Sequence, residues 1–230
     1  MGKTQRGFTL VEIAIVLVII GLLLGGALKG QELINNAKVK HMVNDFRNIP
    51  VFVYGYQDKF RALPGDDPAA RAHLGAAATQ VTPVAGGGSA GNGRVDGPWN
   101  SSSAGDESFV LWQHVRLAGF AAGTTALGDA GYRPTNADGG LLGIESVAQP
   151  GSGGAYIQNL SGTYLLCSSG ILGKFARQID ITLDDGNGAA GQVRIVAANG
   201  YVRNGSAGID NVTTPSGIDD AGQYTTCMAF

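Results

Sequence analysis

The sequence predicts an α+β chain in which one long N-terminal helix packs on a small antiparallel β-sheet set among glycine-rich loops. Three observations lead there. Hydrophobicity begins abruptly at Phe8 after a short basic stretch, and the run from Leu10 to Leu28 carries a single charge, Glu12. Beyond Lys29, apolar residues recur at steps of three and four as far as Phe60, the period of an amphipathic helix. The second half differs in kind. Most of the 37 glycines, about twice the usual share, lie beyond residue 85, between short runs that carry Trp, Phe, Ile and Leu.

A length of 230 residues suits one domain of ordinary size with an appendage. The balance of 16 basic against 18 acidic residues provides no polycationic face, so no nucleic-acid partner is required. The two cysteines, Cys167 and Cys227, are far from the apolar N-terminus. In an exported domain an even pair suggests a disulfide, whereas in a cytosolic one it suggests nothing.

The first element is the segment Arg6-Gly7-Phe8-Thr9-Leu10-Val11-Glu12 with the apolar run behind it. A cleaved secretory signal would use Gly25-Gly26-Ala27 as its cut site, but Glu12 falls inside its apolar region and the helical pattern continues past the cut. A plain single-span anchor, with Lys3 and Arg6 on the cytoplasmic side, fits length and orientation and leaves Glu12 unexplained. A carboxylate in a membrane helix needs a partner, and nothing nearby in its own chain is expected to supply one.

Gly7-Phe8-Thr9-Leu10-Val11-Glu12 followed by an unbroken apolar run resembles the processing signal of type IV prepilins and type II secretion pseudopilins. The resemblance implies a pilin-like fold and a cut between Gly7 and Phe8 by a membrane prepilin peptidase, which also N-methylates Phe8. It divides the chain into a leader (1–7), a transmembrane and filament-core helix (8–28), an amphipathic helix (29–60) and an extracytoplasmic head (61–230). Cleavage creates an α-amine of pKa about 8, charged near neutral pH. That amine is better placed to meet Glu12 of a neighbouring chain than Glu12 of its own, and in an apolar assembly the pair offsets both desolvation costs. Loss of Lys3 and Arg6 leaves 14 basic against 18 acidic residues, a charge of −4.

Within the helix, Gly21 and Gly25, and Gly26 and Gly30, form two small-xxx-small pairs that allow close helix approach. Each glycine also weakens the helix by up to about 1 kcal/mol. Gly21 matches the family's pattern, but Lys29 stands where many members have a helix-kinking proline. Val39, Met42, Val43, Phe46, Ile49, Val53, Tyr56 and Phe60 form the apolar stripe beyond, and Pro50 predicts a kink or short break. From Phe8 to Phe60 a continuous helix spans about 80 Å, of which about 30 Å is membrane. The stripe is expected to pack on the C-terminal part of the chain.

Pro64 and Gly65 are the expected helix breakers. Leu63-Pro64-Gly65-Asp66-Asp67 resembles a sequence of many pilin-like proteins and carries no known catalytic role. Asp67 as N-cap, Pro68 at the first helical position and Gly75 beyond the end define a short helix. After a loop from Ala76 to Gly105, Asp106 to Gly119 reads as an amphipathic helix burying Phe109, Trp112, Val115 and Ala118. Ala155 to Leu160, Thr163 to Cys167 and Gln192 to Ala197 are strand-like. Phe175 to Leu183 fits a helix or a strand, with helix preferred, ended by Asp184-Asp185-Gly186.

The family's C-terminal loop closure implies a Cys167–Cys227 disulfide, with two free buried thiols as the alternative. His41, His73 and His114 lack a second ligand or acid at motif spacing, no nucleophile elbow or phosphate loop is present, and no enzyme is expected. No cofactor is called for. Calcium remains open through Asn92 and Asp96, or Asp184 and Asp185, in stretches that lack EF-hand spacing and read equally as turns. The implied function is a structural subunit of a type IV pilus-like filament. It is anchored once in the bacterial inner membrane with its head in the periplasm, and its partners are its own copies, the peptidase and an inner-membrane assembly platform. A pseudopilin of type II secretion shares that mechanism, and a tethered periplasmic binding module that never polymerises is the alternative of another class.

Overall fold

A computed structural model of the chain describes residues 9–81, 90–147, 157, 160–197 and 217–230. Gly7 and Phe8 lie outside them, as does most of the expected strand Ala155 to Leu160. The chain divides into two compact units, Met1–Lys40 and His41–Phe230. Helix α1, Leu10–Phe60, supplies nearly all the described residues of the first and the opening element of the second.

The expected break at Pro50 does not occur: α1 is assigned as one helix throughout. Proline removes a single N–H from the ladder, and the residues on both sides are fixed by packing. Met42, Val43, Phe46, Ile49, Val53 and Tyr56 are all buried, so tertiary burial outweighs one missing hydrogen bond. α1 ends at Phe60, the expected bound, with the turn made at Arg61, ahead of the expected breakers Pro64 and Gly65. Arg61 takes the left-handed conformation at φ 56°, and its N–H still donates to the Gln57 carbonyl at 2.8 Å. Nothing in an arginine announces that conformation, which is usually a glycine's.

Helix α2 is short, Ala70–Leu74, and starts two residues after the expected position. Asp67 does accept the Ala69 N–H at 2.8 Å, but the assigned N-cap is Ala69, and Gly75 closes the helix with positive φ. Helix α3, Glu107–Leu117, follows the predicted bounds within two residues. It is not amphipathic: every residue from Glu107 to Val115 is buried, while Ala118 is only half-buried. Its polar residues are satisfied inside. Gln113 accepts the Thr79 N–H and donates to Thr125, and Tyr132 donates to the Phe109 carbonyl.

Four antiparallel strands form one sheet in the order β1-β2-β4-β3: β1 Leu142–Ser146, β2 Tyr164–Leu172, β3 Val193–Ala197 and β4 Gln223–Ala229. β3 coincides with a strand-like run in the sequence, and β2 starts within one and continues beyond it to Leu172. β1 and β4 match no such run, because Leu142-Gly-Ile-Glu-Ser146 and Gln223-Tyr-Thr-Thr-Cys-Met-Ala229 are short and mix polar with apolar residues. Between β2 and β3, Gly173–Leu183 is helix α4, the preferred reading. Cys167 and Cys227 face each other across β2 and β4 and are joined by a disulfide, inside a cluster with Trp99, Val147, Leu165, Val196 and Ala229. Within the second unit, α1 meets this sheet through Tyr54, edge-on to Phe230 at 5.9 Å, and through Gln57, which donates to the Tyr164 hydroxyl.

Candidate functional site

In the first unit the side chains of Leu10 to Leu28 project into open space. Leu10, Leu22 and Leu28 are each more than two-thirds exposed, and the branched residues between are about half exposed or more. Among the described residues α1 is the one helix long and apolar enough to cross a membrane. A Cβ placed on Gly21, Gly25, Gly26 or Gly30 meets no atom within 4 Å, so the small-residue pairs leave an open strip along the helix. Lys29 bridges to Glu32 at 2.7 Å, and the helix passes that point without interruption.

Glu12 has a partner in its own chain after all. Its Oε2 accepts the Thr9 N–H and the Thr9 hydroxyl, each at 2.8 Å, and its own N–H donates to Thr9 Oγ1 at 3.3 Å. This reciprocal arrangement is a capping box, which satisfies two orphan donors at a helix start. Its signal, Thr-x-x-Glu before an apolar run, was present in the sequence. Both residues follow the Gly7/Phe8 bond, so cleavage there preserves the box. The processing residues Gly7 and Phe8 themselves lie outside the described residues.

A second constellation surrounds Asp66 and Asp67 where α1 ends. Asp66 is buried, and its carboxylate accepts the N–H groups of Gly91, Asn92, Gly93 and Arg94 (3.2, 2.7 and 3.3 Å for the last three). Glu107 hydrogen-bonds to it and also accepts the Asp96 N–H. Burial raises both carboxyls. The four amide donors keep the charge on Asp66, so the shared proton resides on Glu107, whose pKa is pushed up to about 8 by burial and by the neighbouring Asp66 and Asp96. Gly65 makes this contact possible: it has φ 92°, and a Cβ there would lie 2.4 Å from the Glu107 carbonyl oxygen.

Asp67 points the other way. It accepts the Tyr56 hydroxyl and the His73 ring, both at 2.7 Å. Burial works against its charge, but the His73, Tyr56 and Ala69 hydrogen bonds hold it below the usual carboxylate range, while burial and Asp67 push the Tyr56 phenol up. His114 is buried between the Gly65 N–H, which donates to Nδ1 at 2.9 Å, and the Thr79 carbonyl, 2.7 Å from Nε2. That pattern fixes the neutral Nε2–H tautomer, and burial lowers its pKa. The two aspartates and their partners therefore tie α1, α2, α3 and the 91–94 loop together. A cavity of about 540 Å³ opens beside them, lined by Phe60, Asp67, His73 and Tyr164 among others.

The acidic candidates separate. Asn92 donates to Asp96 at 3.0 Å and accepts the Arg94 N–H at 2.8 Å, and Arg94 pairs with Asp96 at 3.5 Å, so this loop consumes its own oxygens. Asp184 and Asp185 are brought together with Asp180, which the sequence reading passed over. Ligand atoms of all three lie within 4.8 Å of one another.

Residues 2–28 match the family model for the prokaryotic N-terminal methylation motif, the prepilin signal of type IV pilins and pseudopilins. The match covers the signal and the apolar run behind it, which opens a helix long and apolar enough to cross a membrane. No curated protein and no solved structure matches the chain significantly.

Proposed function

We propose that this bearer of the prepilin signal is a structural subunit of a type IV pilus-like filament, cut between Gly7 and Phe8, N-methylated on Phe8 and polymerised through α1. The observation that carries the reading is the exposed apolar half of α1, Leu10 to Leu28, directly behind the signal. Such a surface is stable in lipid or against copies of itself and in no watery compartment. The subunit is anchored once in the inner membrane with the unit His41–Phe230 in the periplasm, and an assembly platform extracts it into the polymer. A disulfide buried in the sheet core suits an oxidising compartment, and the lean towards a surface pilus over a type II secretion pseudopilus rests on the resemblance of the paired cysteines to those of pilins.

Co-expression with a prepilin peptidase tests the first step: intact mass is expected to fall by residues 1–7 and rise by one methyl group. Recovery of the processed chain in filaments sheared from the cell surface is expected next. A processed chain found only in the membrane fraction identifies a tethered module instead, and one found only in periplasmic filaments identifies a pseudopilin.

A further inference from the structure

The geometry points to a binding site for one hard divalent cation of calcium's kind, formed by Asp180, Asp184 and Asp185 where α4 runs into β3. Asp180 is fully buried, and neither of its carboxylate oxygens has a hydrogen-bond partner among the described residues. Orphaned buried carboxylates are rare because each costs the full desolvation of a charge. Its ligand oxygen lies within 4.8 Å of those of Asp184 and Asp185, close enough for one ion with oxygen ligands at about 2.3–2.6 Å to touch all three.

The two outer aspartates are held by the loop that follows. Asp184 commits Oδ2 to the N–H groups of Gln192 and Val193, and Asp185 commits Oδ1 to that of Asn187, which leaves each one oxygen for a ligand. Gly191 permits the first contact, since a Cβ there would fall 1.9 Å from Asp184 Oδ2. Asp185 is exposed, so the cluster opens to solvent on one side.

Charge balance argues the same way. The three carboxylates sit at the C-terminal end of α4, whose last turn contains no basic residue, and where the helix dipole disfavours negative charge. Among the described residues the cation facing them is the guanidinium of buried Arg194, which donates to the Gly191 carbonyl. Three negative charges against one leave two, the charge of a divalent ion. Oxygen-only ligands select calcium or magnesium over softer metals.

Equilibrium dialysis of the full chain in mild detergent, stripped with EDTA and exposed to calcium chloride, is the test. About one ion per chain is expected at low millimolar calcium, the range of weak extracellular sites, with a Tm that rises with calcium concentration. Asp180→Asn and Asp185→Asn are each expected to weaken binding at least tenfold, and Asp96→Asn to leave it unchanged. Asp185 is exposed, so its substitution leaves the fold intact and the result readable. Absence of bound calcium and of bound magnesium in the wild type overturns the proposal. So does wild-type binding by either cluster variant, or a gain in Tm from Asp180→Asn that is the same with and without calcium, which would make Arg194 the sufficient counter-ion.

Discussion

Glu12 Oε2 and the Thr9 hydroxyl are 2.8 Å apart, so the one acidic residue of the apolar helix caps its own N-terminus. The structure gives this carboxylate a capping role within the chain, and the filament proposed above would add a second, pairing with the α-amine of the next subunit. Substitution separates them. Glutamine serves in a capping box as glutamate does but cannot pair with a charge. Glu12→Gln is therefore expected to insert in the membrane and start its helix normally, yet to fail in assembly as Glu12→Ala does. The yield of sheared filaments against membrane-bound subunit measures this, and wild-type filament yield from Glu12→Gln would assign Glu12 to capping alone.

The disulfide gives a prediction on stability. Cys167 and Cys227 are 60 residues apart in sequence, and closing such a loop is worth roughly 4 kcal/mol in the chain-entropy model. Cys167→Ala with Cys227→Ala is expected to lower unfolding stability by about 2–5 kcal/mol, read as a shift of the urea midpoint of the full chain in detergent. Both side chains are fully buried in the sheet core, so alanine leaves a cavity and adds to the loss.

Asp66 is expected to be among the most sensitive positions. Asp66→Ala removes the acceptor of four backbone N–H groups in residues 91–94, and unsatisfied donors cost about 1–3 kcal/mol each when buried. A destabilisation on the order of 3 kcal/mol is expected, with the loop partly rehydrated. Amide hydrogen exchange of Gly91 to Arg94 is expected to accelerate in the variant, while that of β2 and β4 changes only with global stability.

Glu107 supplies a pH dependence of defined sign. Its pKa is about 8 in the folded chain against an ordinary value of 4.5, so the folded state holds a proton that the unfolded state releases. Its contribution is fully present below about pH 4.5 and is lost as pH rises to about 8. The wild type is expected to lose stability across that window. Glu107→Gln, which keeps a neutral donor beside Asp66, is expected to flatten the slope between pH 5 and pH 8, as thermal melts at a series of pH values will read.

Elements with a strong period or a strong breaker were legible from the residues. The apolar run, the α1 stripe from Met42 to Tyr56, the bounds of α3 and the end of α4 at Asp184 all follow from side-chain spacing and turn chemistry. What was hidden depends on tertiary context. Pro50 does not break α1 because Phe46 and Val53 are fully buried on either side of it. Arg61 stops the helix with a backbone conformation that arginine does not advertise. β4 carries no strand-like run because its residues mix polar with apolar, although Tyr224, Thr225, Thr226 and Cys227 are buried between β2 and β3. At the candidate sites, the Thr9–Glu12 box and the Asp180–Asp184 spacing were both in plain view and unused. The Asp66–Glu107 pair joins residues 41 positions apart in number, and no local pattern contains it.

The strand order has a consequence for timing. Among the described residues β3 pairs with β4 alone, and β4 separates it from β2, so the described sheet stays in two pieces until residues 223–229 arrive. At about 5–20 residues per second, the 60 steps from Cys167 to Cys227 take roughly 3–12 s of synthesis. Throughout that interval Cys167 is an unpaired thiol and β2 an open edge, and both invite the wrong neighbour. A cell making this chain in quantity thus has most to gain from thiol oxidases and holdase chaperones that act late, on a nearly complete polypeptide.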